Sequence, residues 1–164
     1  GIAVEPFYNR VMDFALEFHV GKHGVAYNGI SVFATSSTGA YTGNYVSDEP
    51  CLKRRIPEAL QGYLSDVRKN LQRHLQNVYS QGYSGPLGVD MMVVEHKGEK
   101  YIHPCVEVNL RQTMGNVCVS LRSQLRRGAA IYRLRPVGET TEATLVLTPC
   151  AKRIEAVLQT EEAE

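Results

Sequence analysis

Between Val106 and Arg111 apolar and polar residues alternate without interruption. A period of two belongs to an extended strand with one buried face, because successive side chains leave a strand on opposite sides. Val106, Val108 and Leu110 are expected on the buried side. Glu107, Asn109 and Arg111 then share the other side, with His103 and Cys105 in line behind them. A carboxylate, a carboxamide and a guanidinium make an unusual row for a plain solvent face. Together they could hold a metal ion and an anion side by side.

The preceding run sharpens this. Gly88 to Val94 is a second extended, β-branched stretch, and Lys97-Gly98-Glu99-Lys100 reads as a tight hairpin turn centred on Gly98-Glu99. An antiparallel pair with that centre places Asp90 directly opposite Glu107. Cross-strand Cβ atoms lie roughly 4.5–5.5 Å apart, and like charges there repel. A divalent cation would offset the repulsion. Two carboxylates and the Asn109 amide oxygen suit hard Mg²⁺, which also takes phosphate oxygens and water. The alternative is an ordinary solvated strand face, and a register slip of one residue would turn Asp90 away.

The set Gly88-Val89-Asp90-Met91, a hairpin, then Glu107-Val108-Asn109-Leu110-Arg111 resembles the metal-binding end of the ATP-grasp superfamily, as in biotin carboxylase and its relatives. Gly85-Pro86-Leu87-Gly88-Val89-Asp90 and His103-Pro104-Cys105-Val106-Glu107 are similar to a group of bacterial ATP-grasp-like proteins. By position, the resemblance makes Asp90, Glu107 and Asn109 ligands of Mg²⁺ and places Arg111, as the catalytic residue, at the reacting phosphate or acyl group. It also gives the opening a meaning. Glu5 with Phe7 or Tyr8 matches the hinge that receives adenine, and Asp13 matches the ribose contact. Read from the residues alone, Glu5 is a charge at a strand start and Phe7 is core.

The chemistry implied is ATP-dependent ligation. A carboxylate substrate attacks the γ-phosphate, an acyl phosphate forms, and an amine or similar nucleophile displaces phosphate. The resemblance covers the last half of such a catalytic unit, in the order meander, long helix, metal hairpin, helix. The preceding lobes, with their lysine and glycine-rich loop, are not matched, and no G-x-x-x-x-G-K-[ST] or G-x-G-x-x-G takes their place. The chain also opens on Gly1-Ile2 rather than Met. The expectation is a single domain over 1–164 that is a piece of a larger protein, with its partner lobes elsewhere in that protein.

Elsewhere the chain reads as α+β, an antiparallel sheet with two main helices. Met12, Phe14, Leu16, Phe18 and Val20 alternate with Asp13, Glu17 and His19 in a half-buried strand. Strands over 25–35 and 40–46 complete a meander. Residues 48–55 read as a basic loop carrying Lys53, Arg54 and Arg55. Pro57 to Tyr79 is one long helix striped by Leu60, Leu64, Val67, Leu71, Leu75 and Val78. Thr113 caps a second helix running to Arg127, and short strands follow over 129–135 and 143–147.

A formal net charge of +1 provides no field to recruit nucleic acid, and no aromatic residues interleave the basic ones for base stacking. No apolar run reaches the length of a membrane span. Cys51, Cys105, Cys118 and Cys150 are scattered without a C-x-x-C pair, which argues for a reducing cytoplasm and against a zinc or disulfide scaffold. The competing reading is a degenerate, non-catalytic lobe kept for interaction or assembly. The retained carboxylate pair speaks against it.

Overall fold

A computed structural model describes residues 1–2, 4–80, 82–124, 129–137 and 140–150, with backbone alone for 79–80, 124, 133–137 and 140–150. Sequence expectations for the helix end at 125–127, the turn at Gly138 and the acidic tail fall wholly or partly outside the described residues.

The alternating segments become strands β1 (Asn9–Gly21), β2 (Gly24–Thr35), β3 (Tyr41–Val46), β4 (Gly85–His96), β5 (Glu99–Asn109), β6 (Ala129–Val137) and β7 (Thr140–Cys150). They form one seven-stranded antiparallel sheet in the order β5-β4-β1-β2-β3-β6-β7. The α+β class expected from the sequence is therefore present. The helices are α1 (Glu49–Lys53), α2 (Glu58–Gln61), α3 (Leu64–Ser80) and α4 (Met114–Leu121).

The two faces of the sheet are covered differently. Phe14, Leu16, Phe18 and Val20 of β1 and Leu87, Val89, Met91 and Val93 of β4 turn to one face, where Leu60, Leu64 and Leu75 of α2 and α3 close over them. On the other face α4 lays Met114, Val117, Cys118 and Leu121 against Val46, Ala130 and Tyr132. β1 lies inside the sheet between β4 and β2, and on its second side Ala15 and Glu17 are buried while His19 stays exposed.

The local differences from expectation have local causes. The long helix is two: α2 ends at Gly62, Tyr63 N–H bonds back to Leu60 at 3.1 Å, and α3 begins at Leu64. Three-residue bonding tightens the last turn, yet the stripe stays in phase, since Leu60 and Leu64 are both buried. The expected basic loop contains α1, because the Asp48 side chain accepts the Cys51 N–H at 2.7 Å as an N-cap and Pro50 suits the first turn. Lys53 there pairs with Glu49 at 2.8 Å, and Arg55 lies over the Tyr45 ring at 3.9 Å. The second helix starts where expected, with the Thr113 hydroxyl accepting the Asn116 N–H, but α4 ends at Leu121 and a 3-10 turn follows over Arg122–Gln124.

Candidate metal and nucleotide site

The β4–β5 hairpin does not turn where its sequence suggested. Its central residues are Lys97 and Gly98, at φ 53° and 80°, since His96 pairs with Glu99. Two successive positive φ values make the tight turn that matches strand twist, and glycine accepts one of them without cost. Carried uninterrupted from that turn, the register would set Asp90 against Cys105. It is not carried: Met92 pairs with His103, while Asp90 pairs with Glu107. Three residues of β5 stand there against one of β4. The bulge moves the register by two, so no side chain changes face. Asp90 meets Glu107 as anticipated, for a reason the hairpin turn alone does not contain.

The alternation in β5 is also correct, but the expected burial is absent: Glu107 and Arg111 are exposed as well, and Asn109 alone of residues 105–111 is buried. Val106, Val108 and Leu110 are exposed, whereas Asn109 is buried at 6%. β5 is the sheet edge, and no helix of the described chain covers the end of its apolar face. The polar face, by contrast, lies under the start of α4.

On that polar face the expected side chains converge. Asn109 Nδ2 donates to Asp90 Oδ2 at 3.0 Å, and Arg111 Nη2 donates to Asn109 Oδ1 at 2.9 Å. Asp90, Glu107, Asn109 and Arg111 line one cavity of about 360 Å³, walled also by Phe33, Thr35, Tyr41 and the residues that begin α4. Burial first, then the Glu107 charge, raises the Asp90 carboxyl above its ordinary range. The Asn109 bond and Arg111 work against that shift. Among the described residues no three His, Cys, Asp or Glu side chains gather on one point. A closed protein cage is therefore not formed. The donor set is two carboxylates and an amide oxygen with a lone pair remaining, which fits a hard cation that keeps water or phosphate oxygens in its shell.

The nucleotide candidates are not brought together in the same way. Asp13 takes the Thr35 hydroxyl at 2.7 Å and pairs with Arg10 at 3.2 Å. It lines a neighbouring cavity of about 510 Å³ that shares Phe33 and Thr35 with the first. Glu5 and Phe7 stand out from the fold, Phe7 completely, and Tyr8 packs edge-on to His103 with centroids 5.2 Å apart. Cys105 is no activated nucleophile: desolvation and then Asp90 push its thiol up, the reverse of what a thiolate needs.

One buried side chain at this cavity carried no signal in the sequence. Glu17 is 1% exposed on the site face of β1, the single fully enclosed carboxylate among the described residues. It accepts hydrogen bonds from Ser31 Oγ at 3.0 Å, Thr113 Oγ1 at 2.8 Å and Asn116 Nδ2 at 2.7 Å. Burial raises its carboxyl to about 7 although the Thr113 and Ser31 bonds pull it down. In the sequence it is only the polar member of an alternating strand. What encloses it is α4, roughly a hundred residues away in the chain.

No protein-family model matches this chain, and no curated protein matches it by sequence. Among solved structures it is similar to a candidate ATP-grasp superfamily protein from Archaeoglobus fulgidus, at 17% identity and a TM-score of 0.49, over 87% of this chain and 47% of that one. It is also similar to Rhizobium etli pyruvate carboxylase, a T882A variant with the allosteric activator acetyl coenzyme A, at 11% identity and a TM-score of 0.53, over 94% of this chain and 20% of that one. The chain thus spans less than half the length of either. At these identities the likeness is one of fold alone.

Proposed function

We propose that this chain is the nucleotide- and Mg²⁺-binding half of an ATP-dependent ligase of the ATP-grasp type. The observation that carries the reading is the bulge-set pairing of Asp90 with Glu107, tied through Asn109 to Arg111 on one face of one cavity. Two carboxylates forced opposite each other are unfavourable without a cation. Asp90, Glu107 and Asn109 would hold Mg²⁺, which when bound neutralises phosphate charge. Arg111, already oriented by Asn109, stabilises negative charge on the transferring group. Asp13 in the adjoining cavity reaches the ribose, and Glu5 with Phe7 or Tyr8 meets the base. The carboxylate substrate, activated as an acyl phosphate for attack by an amine or similar nucleophile, is completed by lobes of a longer chain. The setting is the cytoplasm; among the described residues no helix is long and apolar enough to cross a membrane.

The test is Mn²⁺ binding, followed by electron paramagnetic resonance in the presence of ATP. Saturable uptake that is lost in Asp90→Asn and in Glu107→Gln supports the reading. Uptake unaffected by both substitutions, or none in the unaltered chain, rejects it.

A further inference from the structure

Glu17 lies at the buried floor of the cavity that Asp90, Glu107, Asn109 and Arg111 line, and its surroundings are built around it. Glu17 pairs with Gly88 on β4, and Gly88 pairs with Asn109 on β5, so the three form a row across the sheet. The middle of the row has no side chain. A Cβ at Gly88 would lie 2.7 Å from Glu17 Oε2 and 2.8 Å from Thr113 Cγ2, because Thr113 occupies that gap. A Cβ at Gly115 would lie 1.8 Å from Glu17 Oε1 and 2.4 Å from Ser31 Oγ, so the first turn of α4 rests directly on the carboxylate. No cation pairs with Glu17 among the described residues.

We infer that Glu17 is a positioning residue for Arg111 and Asn109, acting through Thr113. This rests on the metal-dependent reading above. The segment from Asn109 to Thr113 leaves the sheet and enters α4, and it is pinned at both ends on one sheet face. Asn109 is held by Asp90, Thr113 by Glu17, and Arg111 is the midpoint between them. Two anchors four residues apart leave the backbone at Arg111 little freedom, and the side chain is then directed by its bond to Asn109. Removing the Glu17 anchor frees the α4 end of the segment.

Glu17 acts here through its two oxygens as acceptors. All three of its partners donate: the Ser31 and Thr113 hydroxyls and the Asn116 amide NH₂. The Thr113 hydroxyl oxygen already accepts the Asn116 N–H at 2.9 Å as the helix cap. An amide at position 17 would bring its own N–H donors into a ring of donors, and at least one anchor would break.

The test uses Glu17→Gln, Thr113→Val and Thr113→Ser in this chain, with Mn²⁺ and ATP as the probe. The second readout needs no metal: the Nε–Hε signal of Arg111 in ¹H–¹⁵N spectra, assigned by its loss in Arg111→Lys. Both Glu17→Gln and Thr113→Val are expected to weaken Mn²⁺ binding by about tenfold, the lower end for loss of a residue supporting metal ligands. Both should also collapse the Arg111 signal towards that of a free arginine. Thr113→Ser, which keeps the hydroxyl, should restore both. If Glu17→Gln does not fold, Thr113→Val carries the comparison. Folded variants that merely melt at a lower temperature, with Mn²⁺ affinity and the Arg111 signal unchanged, overturn the inference and leave Glu17 a structural group. If the unaltered chain takes up no Mn²⁺, the proposed function fails, and the Arg111 signal alone decides the positioning claim.

Discussion

Replacing Glu107 by Gln separates a metal site from a structural ion cluster, because the two predict opposite signs. Asp90 and Glu107 are directly cross-strand, so their Cβ atoms lie ~5 Å apart. Two unit charges at that distance repel by roughly 0.8 kcal/mol in bulk water and ~3 kcal/mol at an effective dielectric of 20. Glu107 is exposed, which places the net effect near the lower figure, about 0.5–1 kcal/mol. Glu107→Gln removes the repulsion and keeps the shape. The melting temperature of the metal-free chain should therefore rise by about 1–4 °C near pH 7.

The pH dependence follows from the sign of the Asp90 shift. Its folded-state carboxyl is raised, so its stability contribution is fully present below the unfolded carboxylate range and is lost as pH rises through the folded value. The advantage of Glu107→Gln should accordingly vanish below pH ~4. With Mg²⁺ and ATP present the order reverses. A ligand at tenfold its dissociation constant stabilises the unaltered protein by about 1.4 kcal/mol, and the variant gains little. Differential scanning fluorimetry across pH, with and without Mg²⁺–ATP, checks all of this. A variant that melts several degrees lower at pH 7 without metal would refute the argument, since the pair would then be holding the fold together.

Other consequences concern the packing beneath the site. Gly115→Ala puts a Cβ into the Glu17 carboxylate and the Ser31 hydroxyl, and should cost about 1–3 kcal/mol in urea unfolding as α4 is pushed off the sheet. Glu17 is raised to about 7, so the stability it contributes is fully present below pH ~4.3 and is lost as pH rises through 7. The melting temperature should fall between pH 5 and 8.5, and Glu17→Gln should flatten that slope if it folds. Phe18, fully buried and edge-on to Tyr27 at 5.7 Å, should cost about 3–5 kcal/mol as Phe18→Ala by the same unfolding measurement, with no selective effect on Mn²⁺ uptake.

Features that depend on neighbours along the chain were legible from the residues. Period-two alternation placed the strands, and the i, i+2 rule put Glu107 and Asn109 on one face. The Thr113 cap marked where α4 begins, and the stripe from Leu60 to Val78 marked the face its helices bury. Which face of each strand is enclosed depends on packing between distant segments. β5 lies at the edge, where no described helix covers Val108, so its apolar side is open and Asn109 is the buried member. β1 lies in the middle with α4 across its polar side, so Glu17 is sealed in despite its charge. The register at Asp90 came from a bulge rather than from the turn. Alternation is a property of one strand's backbone. Burial depends on what other segments lie against that strand, and local periodicity does not record those long-range contacts.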